Sequence, residues 1–328
     1  MPSAPAKQVV VYIVGPGRSG STLLELVLGS LSGFHNVGEI VEFATRGVLD
    51  DELCSCGTNF RSCDFWNEVG DVAFGGWTRE QALRMFDLRW KVQPRSKLPA
   101  TMLDIRHRRG PVIEYSAVFG KLIRAVAQVA KADVVVDASK LVTQAVALSA
   151  SDDLDVRLLH LVRDARGVAY SWTKQDVARP SANAVFTEMK THKPAASAAR
   201  WCVDNALAEA IARRGLPYHR MRYEDFVSTP GPTVEAALRG LEIETPSGLA
   251  TQLGSRTVHI PKGHALLGNP SGFGRSEVTL REDTGWRNGL GSRDRRLVTA
   301  LSAPMLARYG YPMRSDQNDS PTLREASR

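Results

Sequence analysis

Four strand-like runs lie along the chain, at 9–14, 133–137, 156–162 and 218–222. Each run is followed by residues with the apolar spacing of a helix, which is typical of βα units. Since most of the runs are apolar without alternation, we expect both faces of their sheet to be covered. The pattern therefore predicts an α/β fold, with a P-loop-like parallel sheet flanked by helices on both faces.

A long segment separates the first strand and helix from the run at 133–137. It contains a cysteine cluster and several tryptophans, and we expect a mainly helical insert with loops over about 40–112. No internal repeat is evident, so the sequence predicts one domain over 8–312. The polar residues at 313–328 predict a flexible tail, and the aperiodic segment 174–195 predicts a surface loop or lid.

The first strand leads directly into a glycine-rich turn, GPGRSGST at 15–22, that opens a helix. Glycines let backbone amides approach an anion, and the helix N-terminus adds partial positive charge. An arginine and three hydroxyl side chains supply further donors to a phosphate. The residues predicted to bind it are Gly17, Arg18, Ser19, Gly20, Ser21 and Thr22.

This loop differs from that of nucleotide triphosphatases. Their pattern is G-x-x-x-x-G-K-[ST], and here Gly15 and Gly20 fit the spacing but Ser21 stands in place of the lysine. A P-loop kinase or nucleotidase that uses ATP and magnesium is thus disfavoured, although it stays an alternative. A non-catalytic binder of phosphorylated nucleotides is the second alternative.

A second candidate anion site follows the run at 156–162. Arg163 ends this strand, and Ser171 comes eight residues later on the predicted next helix. A strand followed by a helix can bring the side chains of Arg163 and Ser171 to the same anion. Together, the loop at 15–22 and this strand, arginine, helix and serine segment resemble the cofactor-binding segments of the sulfotransferase family. The resemblance implies that the loop holds the 5′-phosphosulfate of 3′-phosphoadenosine 5′-phosphosulfate (PAPS), and that Arg163 and Ser171 hold its 3′-phosphate.

Transfer of a sulfonate group requires a base for the acceptor hydroxyl and positive charge near the leaving phosphate. Glu39 follows the first helix and a turn, which places its carboxylate near the loop, so it is the candidate base. Lys140 ends the second strand-like run, and Arg18 lies in the loop; we expect both at the leaving group. The family resemblance implies the same roles, because carbohydrate and tyrosylprotein sulfotransferases use a Gly-Glu base and a lysine after this strand.

Three further residues are candidates for cofactor binding. Tyr223 ends the last strand-like run, in a Tyr-Glu-Asp segment that is common in sulfotransferases, and its ring is suited to stack on adenine. Asn269 and Arg275 lie in a turn-rich loop, and the resemblance implies that this loop covers the 3′-phosphate side of the cofactor.

Cys54, Cys56 and Cys63 form a C-x-C-x6-C cluster. Zinc is one interpretation, but the familiar C-x2-C spacing is absent and no fourth ligand is nearby in sequence. The resemblance gives another interpretation, because the segment looks like a cysteine-containing insert of bacterial sulfotransferases. Its cysteines are either reduced or joined by a disulfide bridge. We expect no metal in the reaction itself.

The charge balance of 42 basic and 35 acidic residues suits an anionic cofactor. No basic run is interleaved with aromatic residues and no apolar segment is long enough for a membrane span, so we expect no nucleic-acid partner and no membrane span. Together with these observations, the resemblance implies a cytoplasmic PAPS-dependent sulfotransferase that modifies a hydroxyl of a small-molecule or carbohydrate-like acceptor and releases adenosine 3′,5′-bisphosphate.

Overall fold

A computed structural model describes residues 6–174, 178–179, 187–188, 191–266 and 275–313. Its strands are β1 (Gln8–Val14), β2 (Phe34–Gly38), β3 (Val134–Lys140), β4 (Leu154–Val162), β5 (Ala178–Arg179), β6 (Thr187–Glu188), β7 (Tyr218–Arg222), β8 (Thr257–His259) and β9 (Glu277–Thr279). Its α-helices are α1 (Ser21–Gly29), α2 (Asp64–Phe74), α3 (Arg79–Val92), α4 (Leu98–Arg106), α5 (Pro111–Ala130), α6 (Val142–Leu148), α7 (Ala165–Thr173), α8 (Pro194–Ala212), α9 (Tyr223–Ser228), α10 (Pro230–Gly240), α11 (Leu249–Gln252), α12 (Trp286–Gly289) and α13 (Ser292–Arg308).

Five parallel strands form the central sheet, in the order β2-β3-β1-β4-β7. Alternate side chains of β1 enter two different cores: Tyr12 packs with α5 and the insert, whereas Val11 and Ile13 pack with α1 and α10. Helices therefore cover both faces, and the predicted α/β class is confirmed.

Within the central sheet, β2 is the strand that the sequence pattern did not predict. His35 and Asn36 interrupt its apolar residues, yet it pairs in parallel with β3 at the edge of the sheet. Its addition matters for the site because β2 ends at Gly38, immediately before Glu39.

The segment between β2 and β3 contains α2 to α5 and short 3-10 and π-helical turns, in agreement with a mainly helical insert. Trp66 is fully buried there, with ring centroids 5.4 Å from Phe43 and 5.3 Å from Phe60. These side chains belong to the same core as β1 and α5, so the insert is packed directly on the sheet.

Several expectations lie outside the described residues, including Asn269, most of the segment 174–195 and the tail from 314. Within the described ranges, every helix is too short or too polar to cross a lipid bilayer.

Candidate active site

The carboxyl ends of the five central strands meet at one edge of the sheet. β2 and β3 lie on one side of β1, and β4 and β7 lie on the other, so the chain reverses its direction of winding beside β1. Such a reversal opens a crevice that binds ligands in parallel α/β sheets. The strands β1, β2, β3, β4 and β7 end at or before Arg18, Glu39, Lys140, Arg163 and Tyr223, respectively.

The turn after β1 has a backbone that favours glycine. Gly15, Arg18 and Gly20 have φ angles of 140°, 69° and 91°. A Cβ atom at position 20 would lie 2.5 Å from the Tyr223 ring, and one at position 15 would lie 2.5 Å from the Leu161 carbonyl oxygen, so neither position has room for a side chain. The loop is thus held tightly against β4 and β7.

The N-terminus of α1 is open to a ligand. Gly20 is its N-cap and provides no side-chain hydrogen bond to the first turn, where the amide groups of an α-helix lack partners within the helix. Ser19 is buried, and its hydroxyl makes no hydrogen bond with the described part of the chain. Donors of this kind fit the phosphate and sulfonate oxygens of an anionic nucleotide.

Arg18 lies over the face of Trp172, with its guanidinium carbon 5.0 Å from the ring centroid. The same ring covers Gly17, where a Cβ would lie 3.0 Å away. Burial lowers the pKa of Arg18, and the charge of Glu39 opposes this change. Trp172 was missed in the sequence because tryptophan at the end of a helix is not diagnostic of a binding site.

Arg163 connects the loop to the opposite side of the crevice. Its Nη1 donates a hydrogen bond to the Arg18 carbonyl oxygen at 3.0 Å, and its Nη2 donates to Asp283 Oδ2 at 2.9 Å. The Arg163 carbonyl accepts a hydrogen bond of 2.9 Å from the buried Trp201 indole. Burial raises the pKa of Asp283, but Arg163, the Gly285 amide and Lys174 together leave it below its ordinary value. The guanidinium is therefore fixed at the end of β4.

Tyr223 supports both predicted anion sites. Its ring faces the Arg163 guanidinium, whose carbon is 4.8 Å from the ring centroid, and it also packs against Gly20. The hydroxyl donates to the Arg281 carbonyl oxygen at 3.0 Å. Because the side chain is already buried between these groups, it positions the loop and Arg163; its predicted contact with adenine stays a prediction.

Glu39 and Lys140 form an ion pair across the ends of β2 and β3. Lys140 Nζ donates to Glu39 Oε1 at 2.5 Å and to the Ala138 carbonyl oxygen at 2.9 Å. Both side chains are about one-fifth exposed, so they reach the crevice while most of their surface is covered. Lys140 has a φ angle of 69°, and β3 pairs irregularly with β1 at this point, which turns the lysine out of the sheet.

Asp137 lies directly behind this pair. It is completely buried, and its Oδ1 accepts hydrogen bonds from the Ser139 amide at 2.8 Å and the Ser139 hydroxyl at 2.5 Å. Its Oδ2 has no hydrogen-bond partner among the described residues. Burial raises the pKa of Asp137 to about 7, against the lowering effect of these hydrogen bonds and of Lys140.

Glu25 is a second buried carboxyl group, and the sequence analysis missed it. It lies in α1 with 1% of its surface exposed, and neither carboxyl oxygen has a hydrogen-bond partner among the described residues. Burial raises its pKa well above the ordinary value, and the charge of Glu39 raises it further. The charges of Lys140 and Arg46 lower it. The available signal was a glutamate within the otherwise apolar run LLELVL.

Two other residues that were predicted to bind the cofactor, Ser171 and Arg275, have fewer contacts to describe. Ser171 is half-buried in α7, one residue before Trp172. Arg275 is exposed and lines a cavity of about 420 Å³ with Asn36, Ser55 and Lys262. None of the described loop residues 15–22 lines this cavity, so the proposed role of Arg275 in cofactor binding stays a prediction.

A histidine is the alternative to Glu39 as the base, because histidine is the most frequent general base in enzymes. His160 is buried in β4 and makes hydrogen bonds of 2.8 Å to both Tyr218 and Asn205, so it has a structural role. His35, a residue of β2, is stacked on Phe65, and burial lowers its pKa to about 4. His192 packs on Trp172, the ring that also contacts Arg18, with ring centroids 4.5 Å apart.

Comparison with known proteins gives one family. A model described as the sulfotransferase family matches residues 11–247. No curated protein matches the chain.

Three solved structures resemble it at low identity. The sulfotransferase domain from the curacin biosynthetic pathway is 12% identical, with a TM-score of 0.49, and the similarity covers 94% of this chain and 100% of that one. The sulfotransferase domain from the Synechococcus PCC 7002 olefin synthase is 17% identical, with a TM-score of 0.42 over 76% of this chain and 78% of that one. Sulfotransferase STF9 from Mycobacterium avium is 10% identical, with a TM-score of 0.45 over 94% of this chain and 78% of that one.

Proposed function

The chain belongs to the sulfotransferase family, and on that premise we propose that it transfers a sulfonate group from PAPS to a hydroxyl group of a small-molecule or carbohydrate-like acceptor. PAPS supplies the activated sulfonate and a bisphosphorylated nucleotide as leaving group. The observation that carries the proposal is the Glu39–Lys140 pair, which lies at the sheet edge that also bears the glycine-rich loop.

The donor fits the groups around the loop. The open N-terminus of α1, the Ser19 hydroxyl and the Arg18 guanidinium suit the 5′-phosphosulfate. Arg163, whose Nη1 already reaches the Arg18 carbonyl, suits the 3′-phosphate, and Ser171 and Tyr223 are proposed to assist it. Charge-assisted hydrogen bonds of this kind are about twice as strong as neutral ones.

The proposed reaction divides two tasks between Glu39 and Lys140. Glu39 accepts the proton of the acceptor hydroxyl as its oxygen attacks the sulfur. Lys140 stabilises the negative charge that develops on the oxygen between sulfur and phosphorus, and Arg18 adds to this stabilisation. Because the ammonium group and the carboxylate are in contact before the reaction, both are oriented toward the same point in the crevice.

The test compares Glu39→Gln with the exposed control Glu68→Gln, using radiolabelled PAPS and a panel of phenolic and monosaccharide acceptors. We expect the Glu39 variant to lose about 100-fold to 10,000-fold in turnover, because a general base contributes on that order. Its affinity for adenosine 3′,5′-bisphosphate, measured by calorimetry, should change less than about threefold, since the glutamine keeps the size of the side chain.

Two outcomes would contradict the proposal in different ways. An equal loss of turnover and nucleotide affinity in Glu39→Gln would remove Glu39 from the role of base, and His192→Ala would then be measured. If the wild-type protein binds the bisphosphate but transfers sulfonate to none of the acceptors, it is a non-catalytic binder of phosphorylated nucleotides.

A further inference from the structure

The three cysteines of the insert meet a histidine from the far end of the chain. Cys54, Cys56, Cys63 and His264 each offer one ligand atom, and these atoms all lie within 4.8 Å of one another. We call this group the Cys3His cluster. The fourth ligand that the sequence lacked is thus 210 residues from Cys54, and only the fold brings it into place.

The distances within the cluster match a tetrahedral metal site. The Cys54–Cys63 and Cys56–Cys63 sulfur atoms are 3.9 and 3.7 Å apart, and His264 Nδ1 is 3.8 Å from Cys54 Sγ and 3.2 Å from Cys63 Sγ. Zinc–sulfur bonds of about 2.3 Å at tetrahedral angles place sulfur ligands about 3.8 Å apart. A disulfide would instead require a sulfur–sulfur distance of about 2.05 Å, and these cysteines are free.

Neighbouring groups hold the ligands in position. The Ser55 hydroxyl donates to the Gly263 carbonyl oxygen at 2.9 Å and accepts from the Ala265 amide at 2.8 Å, which ties both sides of His264 to the cysteine loop. The His264 ring is stacked on Phe65, with centroids 4.7 Å apart and planes 11° apart. Ligands fixed by hydrogen bonds and packing in this way are typical of real metal sites.

From this geometry we propose that the Cys3His cluster binds one Zn²⁺ ion with a structural role. Three sulfurs and one imidazole nitrogen are ligands that zinc prefers, and four protein ligands leave no open position for a substrate or water. Cys54 and Cys63 are almost fully buried, which protects the site from solvent. Cys56 lines the cavity of about 420 Å³, which gives small reagents a way to reach the ion.

The ion connects the insert to the candidate base. Two residues after His264, the Leu266 amide donates to the Val37 carbonyl at 3.0 Å, and the Leu266 carbonyl accepts from the Glu39 amide at 3.0 Å. The contact is tight, because a Cβ at Gly38 would lie 2.3 Å from the Leu266 carbonyl oxygen. Zinc therefore fastens the segment 263–266 against the end of β2, and Glu39 is the next residue after that strand.

The first experiment measures metal content in the full-length protein, purified through an affinity tag without histidines and without added metal. Plasma mass spectrometry should find one zinc per chain in the wild type and in Cys202→Ser, whose cysteine lies outside the cluster. Cys63→Ser and His264→Ala should retain less than about one-tenth of that amount, because structural zinc binds through all four ligands.

A second measurement keeps the proposal testable if those variants fail to fold. X-ray absorption at the zinc edge of the wild-type protein should show three sulfurs and one nitrogen around the ion. Wild-type protein without zinc, zinc ligated by oxygen, or a disulfide between two of the three cysteines would overturn the proposal.

The structural role has its own readout. After zinc is removed by an organomercurial and a chelator, the amides of Glu39 and Leu266 should exchange with deuterium at least about tenfold faster, while those of β1 stay protected. Equal exchange before and after removal would contradict the fastening role.

Discussion

The two halves of the sheet edge hold their charges differently. In the binding half, at the ends of β1, β4 and β7, cations lie on aromatic rings: Arg18 on Trp172 and Arg163 on Tyr223. Arg163 also pairs with Asp283, whose carboxylate is more exposed than that of Glu39. In the transfer half, at the ends of β2 and β3, cation and carboxylate are in direct contact, as Lys140 is with Glu39.

This difference has a physical consequence. An aromatic face orients a cation without neutralising it, so its charge still attracts an anion. A lysine in contact with a carboxylate has little net charge, but the pair is suited to move a proton and to stabilise charge that develops during a reaction. We therefore propose that the binding half provides affinity and the transfer half provides turnover, so variants in each should affect mainly one of these quantities.

Among these variants, we expect Lys140→Met to give the largest difference between its effect on turnover and its effect on nucleotide affinity. Loss of the ammonium group should lower turnover about 100-fold or more, on the scale of a donor that stabilises the transition state, with less than about a fivefold change in bisphosphate affinity. Lys131→Met is a matched control, since Lys131 is an exposed lysine that also has a positive φ angle, of 53°. If Lys140→Met loses as much affinity as turnover, the two halves are not separable.

The second prediction concerns how the stability of the protein depends on pH through Asp137, which lies behind the Glu39–Lys140 pair. Burial raises the pKa of Asp137 from 3.8 to about 7, so the folded state favours its protonated form. As pH rises from about 4 to about 7, the wild type should lose stability relative to Asp137→Asn, by at most roughly 1.4 kcal/mol per pH unit, and the difference should then level off.

Urea unfolding of both proteins across this pH range measures the effect. The exposed Asp71→Asn serves as control and should show no such trend against the wild type. A constant difference between wild type and Asp137→Asn would mean that this carboxyl group ionises normally despite its burial.

The sequence predicted the binding half better than the transfer half. Arg163 directly follows an apolar strand and Arg18 lies in the glycine-rich turn after another, so short local patterns locate them. The partner of Glu39 is 101 residues away in sequence, and Glu25 is part of an apolar helix, so neither their contact nor their burial is visible in a local pattern.

Long-range packing also explains the other differences. β2 was missed because polar residues occupy an edge strand, where pairing with β3 compensates for weak local preference. The histidine of the Cys3His cluster could not be assigned because nothing near the cysteines in sequence indicates it; Ser55 and Phe65 position it only once the chain is folded.

The central claim, a crevice built for a nucleotide with phosphates at both the 3′ and 5′ positions, is tested most directly by calorimetry. Adenosine 3′,5′-bisphosphate should bind one per chain without magnesium, and at least about tenfold more tightly than adenosine 5′-monophosphate, since hydrogen bonds to charged groups contribute about 1.5–3 kcal/mol. Arg163→Ala should remove most of that preference while leaving the monophosphate affinity nearly unchanged. Equal binding of the two nucleotides by the wild type, or binding of ATP alone and only with magnesium, would contradict the account.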